Sequence, residues 1–386
     1  EPLFQTAVDS LQSLNDRYGG ERFLLFHRSR KWSESEQKYI GWERKRGKLE
    51  ELNGLIDGTR PEHAAPLVFV GDPNRLSNVR FVITLDSDTQ LPHGTARRMV
   101  ETLAHPLNQP RFDATGRILA GSYTIIQPRV SPSLPSTSAS TFSRLFADAV
   151  GIDPYTKAVS DVNQDLTGEA SYHGKGIYDV RAFSRVLSAR FPEEWLLSHD
   201  LIEGAHVGVG LASDIELYDN FPQDYQSYAS RQHRWIRGDW QIAGWILPRV
   251  RQAGGGRQPN QLSCFNRWKI LDNLRRSLVP ATSLGLLVVA WLTFPLMGWI
   301  ATLVVAMELL FHSLAQPFTM ATTHLGLKSF SLSKVVHDLL RAIAEAALLP
   351  HQTGLALDAI LRVWYRRLIS HRRLLEWTSA QVTHGS

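Results

Sequence analysis

Three features of this 386-residue sequence predict an α/β sheet body followed by a helical, membrane-associated region. Strand-length apolar runs alternate with helix-period segments through residues 1–250. A polar stretch with three consecutive glycines then breaks the pattern, as a connection between units does. Beyond it residues 278–307 carry no charge, a longer apolar run than one soluble core helix needs. At about 150 residues per domain, the length allows two or three units.

The elements follow in order. Periodicity predicts helices over residues 3–18 and 44–56, and strands over 22–27, 67–69, 79–85 and 118–127. A short strand at 214–218 precedes a long helix at 225–246 crowded with Arg and Trp. We place a first domain at residues 1–250, a linker at 251–261 and a helical region at 262–386. A helix over 264–277 leads into two apolar halves, 278–294 and 295–311, with Pro295 in the turn between them. They form a transmembrane hairpin or, because of Glu308, a buried hairpin of a large soluble body. Basic interfacial helices are expected at about 335–377, where Leu357, Ile360, Leu361, Trp364, Leu368 and Ile369 share a helical period beside Arg362, Arg366, Arg367, Arg372 and Arg373. The positive-inside rule then puts the first domain on the cytoplasmic side. A basic helix against an acidic protein partner is the alternative.

Composition excludes several classes. With 43% hydrophobic and 20% charged residues the chain is neither disordered nor fibrous. A net charge of +5, with the basic cluster confined to the C-terminal region, gives no nucleic-acid footprint. Cys264 is the sole cysteine, so intrachain disulfides, four-cysteine zinc sites and paired-thiol chemistry cannot form. No Met or leader opens the chain, which suggests processing or excision from a longer polypeptide.

Three segments carry chemistry. An apolar strand ends in Asp86-Ser-Asp88, and open α/β sheets collect ligands at strand ends. Two carboxylates would repel a nucleotide diphosphate, but a divalent metal, Mg or Mn, between them reverses the sign. Turn formation by Asp is the competing account. In Ser198-His-Asp-Leu-Ile-Glu-Gly204, Asp200 is either a helix cap or a general base for an acceptor hydroxyl, with His199 a competing base. In Arg231-Gln-His-Arg-Trp235, guanidinium groups share a face with an indole, suiting a diphosphate and a sugar ring. A nucleic-acid or salt-bridge helix is the alternative. Lys48 follows Gly47 where an ammonium could meet a diphosphate, and a solvated helix face explains it equally well. Tyr172 and His173 lie in a glycine-rich stretch that permits close approach around a sugar.

This ordered set, followed by apolar helices, resembles the processive, inverting membrane glycosyltransferases. The strings Gly168-Glu-Ala-Ser-Tyr-His-Gly-Lys-Gly-Ile-Tyr-Asp-Val180, Ser198-His-Asp-Leu-Ile-Glu-Gly204 and Arg231-Gln-His-Arg-Trp-Ile-Arg-Gly-Asp-Trp-Gln241 look like the glycosyltransferase portion of bacterial cyclic beta-1,2-glucan synthases. The similarity runs from about Phe4 to Gln381. It implies a GT-A-like nucleotide-sugar domain that begins here after the family's first strand. It also implies transfer of glucose from UDP-glucose to a growing beta-1,2-glucan. Asp200 would be the base, and Asp86 and Asp88 the metal ligands. Lys48, Asp86, Asp88, Arg231 and Arg234 would bind the donor, and Trp235, Tyr172 and His173 the acceptor. Arg231 stands where the family usually has Gln. Expected partners are the beta-glucan acceptor, membrane lipid and the remaining domains of a longer polypeptide, at a bacterial inner membrane. The alternatives are a synthase of another beta-glucan and a non-catalytic nucleotide- or glucan-binding scaffold. A glycan phosphorylase or hydrolase would need Glu193, Glu194 or Glu203 in an acid–base pair.

Overall fold

The computed structural model describes residues 2–59, 67–147, 161–251, 253–310 and 332–376. Phe311, the expected end of the hairpin, and residue 377, the expected end of the basic helices, lie outside them.

Helix α1 (Pro2–Tyr18) leads to strand β1 (Leu25–Arg28), the hairpin β2 (Lys31–Ser33) and β3 (Lys38–Ile40), helix α2 (Arg44–Asp57) and strand β4 (Leu67–Val70), which pairs antiparallel with β1. Next come β5 (Phe81–Thr84), α3 (Thr95–Ala104), β6 (Ile125–Pro132) and the short helices α4 (Leu134–Ser138), α5 (Thr141–Phe146) and α6 (Val162–Thr167). Strand β7 (Gly176–Asp179) runs directly into α7 (Val180–Leu187), and α8 (Asp200–Val207) into β8 (Val209–Asp219).

The four-stranded sheet has the order β5-β7-β6-β8. Strand β7 is antiparallel to both β5 and β6, while β6 and β8 are parallel. The ends of β5 and β8 and the start of β7 therefore share one rim. Alternation along the strands divides the core between the faces. Ile125 and Tyr178 pack with Ile202, Val207 and Val209 on one side, Ile126 and Ile177 with Met99, Leu103 and Ile215 on the other.

Helix α9 (Tyr225–Ile242), capped by Asp224 through Ser227 N–H, crosses the rim. Strands β9 (Arg249–Arg251) and β10 (Arg257–Pro259) form a hairpin whose loop holds the glycine-rich stretch. Helix α10 (Cys264–Thr293) is followed by α11 (Pro295–Leu309) and α12 (Leu332–Tyr365), which ends in a wide π-type segment, Arg366–Ser370.

Several boundaries differ from the sequence reading. The strand expected at 118–127 starts at Ile125 and runs through Pro128 to Pro132, because a bulge between Pro128 and Arg129 absorbs the missing donor. The helix expected to reach residue 246 ends at Ile242 and tightens into a 3₁₀ turn. The separate helices 264–277 and 278–294 are one 30-residue helix with Pro280 inside it. That helix continues past the proline packed against α12, whose Thr353 Oγ1 donates to the Pro280 carbonyl at 2.9 Å.

Among the described residues α10 alone is long and apolar enough to cross a membrane. Helix α11, at 15 residues, falls below the expected 17 and below the usual spanning length of about 17–25. The pair is joined by Trp291 Nε1–H donating to Thr302 Oγ1 at 3.1 Å and by Ser283 Oγ donating to Glu308 Oε2 at 3.0 Å. Val289, Leu292, Leu296, Trp299 and Leu303 are exposed. The basic region forms one long helix that packs on α9 and α10, leaving Leu357, Leu361, Trp364, Leu368 and Ile369 exposed but burying Ile360.

Ile177 is completely buried at the centre of the sheet. Ile177→Ala should cost about 2–5 kcal/mol, read as a lowered urea midpoint of the detergent-solubilised chain. An unchanged midpoint would contradict this core assignment.

Candidate functional site

The rim of the sheet gathers charge. Asp86 follows β5, and Lys175 directly precedes β7 because Thr84 and Gly176 are paired across the two strands. The nearly fully buried Lys175 ammonium bridges Asp219, at the end of β8, and Asp86 Oδ2 at 3.2 Å. Lys45 Nζ, from α2, donates to Asp86 Oδ1 at 2.6 Å and to the Gly174 carbonyl at 2.8 Å. Thr89 Oγ1 donates to Asp219 Oδ1 at 2.8 Å. Burial pushes the Asp86 carboxyl up, but Lys45 and Lys175 outweigh it and hold its pKa below the ordinary value. A backbone turn from Asp86 to Thr89 is present, so the turn role is real, while the carboxylate itself serves the two lysines. Among the described residues no ion pair reaches Asp88.

Asp200 is the first residue of α8, and the cap position belongs to His199, which makes no side-chain capping bond. Asp200 Oδ1 is buried with no hydrogen-bond partner, so the capping alternative has no support. The carboxylate rests against Gly174, where a Cβ would come within 2.6 Å of Oδ1, and Gly174 has a φ of +80°. Its partly exposed side chain leaves Oδ2 as the oxygen open to the cleft. His199 Nε2 stands 3.4 Å from Asp200 Oδ1 and 3.8 Å from Glu203 Oε2. Burial, partly opposed by Asp200, lowers the His199 pKa, leaving a neutral imidazole at neutral pH. Burial, reinforced by Asp200, raises the Glu203 pKa well above the carboxylate range. The donor atoms of His199, Asp200 and Glu203 lie within 4.8 Å of one another, an arrangement that could hold a metal ion.

Helix α9 forms the opposite wall. The Arg231 guanidinium stacks 4.8 Å from the centre of the Trp235 ring. Burial, then Arg231, lowers the Arg234 pKa, against the pull of Asp200, Asp86 and Asp88. The cleft measures about 1650 Å³, and Lys48, Asp86, Asp88, Tyr172, His173, Asp200, Arg231, Arg234 and Trp235 all line it. Every residue expected to act as base, metal ligand, donor contact or acceptor contact thus lines one cavity, whereas Glu193, Glu194 and Glu203 do not. Two of the lining residues are placed differently from the rest. Tyr172 is 3% exposed, with its hydroxyl 3.3 Å from Thr84 Oγ1. Lys48 is exposed, and burial of its stem followed by repulsion from Arg28 and Lys45 lowers its pKa.

Lys45, Lys175 and Asp219 escaped the sequence reading. Lys45 sits two residues before Gly47 in the same basic string as Lys48, and nothing local distinguishes the two ammonium groups. Lys175 stood in the glycine-rich stretch already singled out, flanked by Gly174 and Gly176.

Strand-end carboxylates, lysines, arginines and an indole around one large cleft, with an apolar helix attached, define a mixed α/β protein with a polar ligand cleft and one candidate membrane helix. No protein-family profile matches it. A particular relative does: over 408 aligned residues taking in 100% of this chain, the sequence is 40% identical to cyclic beta-(1,2)-glucan synthase NdvB of Rhizobium meliloti (strain 1021). The likeness seen in the motifs extends along the whole chain, which aligns as a cyclic beta-glucan synthase portion. The chain spans 14% of that relative's length.

Glu203 gives a pH prediction. Because burial favours its neutral form, folding takes up a proton once the pH exceeds the unfolded carboxyl value of about 4.3. Its contribution to stability is therefore full below that pH and is lost as pH rises towards the folded pKa. The isosteric Glu203→Gln should lack this decline. Urea midpoints of both proteins, taken between about pH 4 and pH 8 with a chelator present, should diverge as pH rises. Parallel profiles would mean that Glu203 is ionised in the folded protein.

Proposed function

We propose that this chain is the glycosyltransferase portion of a cyclic beta-1,2-glucan synthase, moving glucose from UDP-glucose to a growing glucan with inversion. The observation that carries the reading is the convergence of the expected site residues on one cleft, in a chain whose whole length aligns with 14% of such a synthase. The rim of carboxylates beside the sheet supports a GT-A-like body over residues 1–250, with 251–261 as a linker and 262–386 as the membrane-associated region. The apolar α10 and the basic, indole-bearing α12 support attachment to an inner membrane with the cleft on the cytoplasmic side.

In this reading Asp200 Oδ2 takes the proton from the acceptor's 2-hydroxyl as that oxygen attacks the anomeric carbon from the face opposite the diphosphate. The other Asp200 carboxylate oxygen is buried beside Gly174 and His199. Arg231, Arg234, Lys45 and Lys48 surround the diphosphate with cationic donors, and bidentate guanidinium contacts suit its oxygens. Trp235 offers a flat apolar plate to the terminal glucose, with His173 on the facing wall. Asp86 and Asp88 supply hard oxygen donors that fit Mg or Mn, with Asp88 free of ion pairs among the described residues. Bound there, the cation neutralises charge on the departing UDP. Lys45 and Lys175 already offset part of the negative charge, so the rim does not repel a diphosphate as two bare carboxylates would.

Full-length parent protein given labelled UDP-glucose should extend a beta-1,2-linked glucan, as linkage analysis would show. Asp200→Asn should lower transfer by about 10²–10⁴-fold with the fold intact, and retained turnover would remove Asp200 from this role. Trp235→Ala should raise the acceptor KM more than the donor KM. Metal-independent UDP binding without transfer in the complete parent would favour a scaffold.

A further inference from the structure

We propose that His199, Asp200 and Glu203 form a second metal site, selective for a zinc-type cation, whose occupation disables the base. The inference extends the transferase reading only in taking Asp200 as that base; the site itself stands on geometry. Zinc–ligand distances of about 2.0–2.2 Å put the ligand atoms of a tetrahedral site about 3.3–3.6 Å apart. His199 Nε2 is 3.4 Å from Asp200 Oδ1 and 3.8 Å from Glu203 Oε2, and all three donor atoms lie within 4.8 Å of one another, so side-chain rotation of about an ångström closes the site. The fourth position faces the cleft, which all but Glu203 line.

The second observation is that one donor atom of the cluster is left without a partner. Asp200 Oδ1 is buried and accepts no hydrogen bond. Glu203 is 4% exposed, and the neighbouring His199 ring stands beyond hydrogen-bond distance at 3.8 Å. The nearby Arg46 guanidinium forms ion pairs with Glu43 at 2.8 Å and Glu50 at 3.7 Å, while its Nε and Nη2 lack hydrogen-bond partners. Satisfied buried polar groups are the rule, and an unsatisfied carboxylate oxygen beside an imidazole and a second carboxylate invites an ion. One imidazole and two carboxylates suit zinc or cobalt(II), whereas the all-oxygen pair Asp86 and Asp88 suits magnesium or manganese.

The consequence follows from coordination chemistry. A carboxylate whose oxygen is bound to a dication holds a proton poorly, so Asp200 ligated through Oδ1 loses basicity at Oδ2. Cations of two kinds would then act oppositely in one cleft, one supporting transfer at the strand end and the other arresting it at the start of α8.

Cobalt(II) titration of the detergent-solubilised full chain tests the site without donor or acceptor. The expected result is the intense visible bands of four-coordinate cobalt, displaced by zinc and lost in both His199→Gln and Glu203→Gln, but retained in Asp86→Asn. Absence of the bands, their survival in Glu203→Gln, or their loss in Asp86→Asn would overturn the site. In the full-length parent, zinc should inhibit glucose transfer, and Glu203→Gln should weaken that inhibition, relative to its own zinc-free rate, by about ten-fold or more. Equal inhibition in the two proteins would overturn the link to the base. Failure of the cobalt titration leaves the transferase reading untouched, and an active Asp200→Asn parent would sink that reading while leaving the cobalt result standing.

Discussion

A buried ammonium group needs anions around it, and Lys175 finds two, Asp219 and Asp86. Its position is set by the sheet: β7 begins one residue later, antiparallel to β5, so the end of one strand and the start of the other fall side by side. Thr89 closes the arrangement by donating to Asp219. The preceding residue, Gly174, touches the Asp200 carboxylate and offers its carbonyl to Lys45. One charge pairing therefore fixes the spacing between the acidic strand end and the start of α8. Removing the ammonium would leave a buried Asp219 uncompensated, which costs about 3–5 kcal/mol at such sites. The rim owes its geometry to this electrostatic necessity more than to loop conformation.

The far wall is positioned from the helical region. Trp240 Nε1–H of α9 donates to Ser277 Oγ of α10 at 3.0 Å, and the His233 ring meets Asp358 of α12 at 2.8 Å. Gln241 Nε2–H donates to the Leu374 carbonyl while its Oε1 accepts from Leu197 N–H. Helix α9 thus carries Arg231, Arg234 and Trp235 on its cleft side and the anchors to α10, α12 and the 371–376 segment elsewhere. Any displacement of α10 would be passed to the guanidinium and indole groups through short, directed bonds. Sheet rim and helical wall together make a cleft that neither could form alone.

What was legible in the sequence was local. Helices at 3–18 and 44–56 emerge with boundaries within one residue, because their apolar period and flanking turn residues are contiguous signals. Asp86, Asp200 and Trp235 stood out because their neighbours form recognisable strings. Lys45 and Lys175 did not, since their significance lies in partners 41 and 44 residues away in the chain. The shift of the strand at 118–127 has a similar origin. Ile118 pairs with Phe112 in an isolated bridge and packs on the core, so it looks strand-like without joining the sheet. Pro128 lies just past the expected strand and Pro280 inside the expected apolar half, and in the structure strand and helix both continue through them, the strand with a bulge and the helix packed on α12. Periodicity reports burial, and burial alone does not say which hydrogen-bond ladder a residue has joined.

The two acidic ends of the cleft differ in how their charge is balanced. At the strand end, Asp86 is held ionised by two ammonium groups, and burial does not prevail. At the start of α8, burial prevails: Glu203 is driven towards its neutral acid and His199 towards its neutral ring. Carboxylates in these two settings cannot serve interchangeably. The ionised, lysine-flanked pair suits a charged ligand that arrives with its own counterions, because lysines can transfer their attention from carboxylate to phosphate with little change in net charge. The buried imidazole and carboxyl beside Asp200 suit proton transfer or a borderline metal, because burial disfavours charge on both and leaves Asp200 Oδ1 without a hydrogen-bond partner. Lys175 and Gly174 are adjacent residues, yet one serves the ionised strand end and the other abuts the Asp200 carboxylate, so the two settings meet within one peptide unit of the rim.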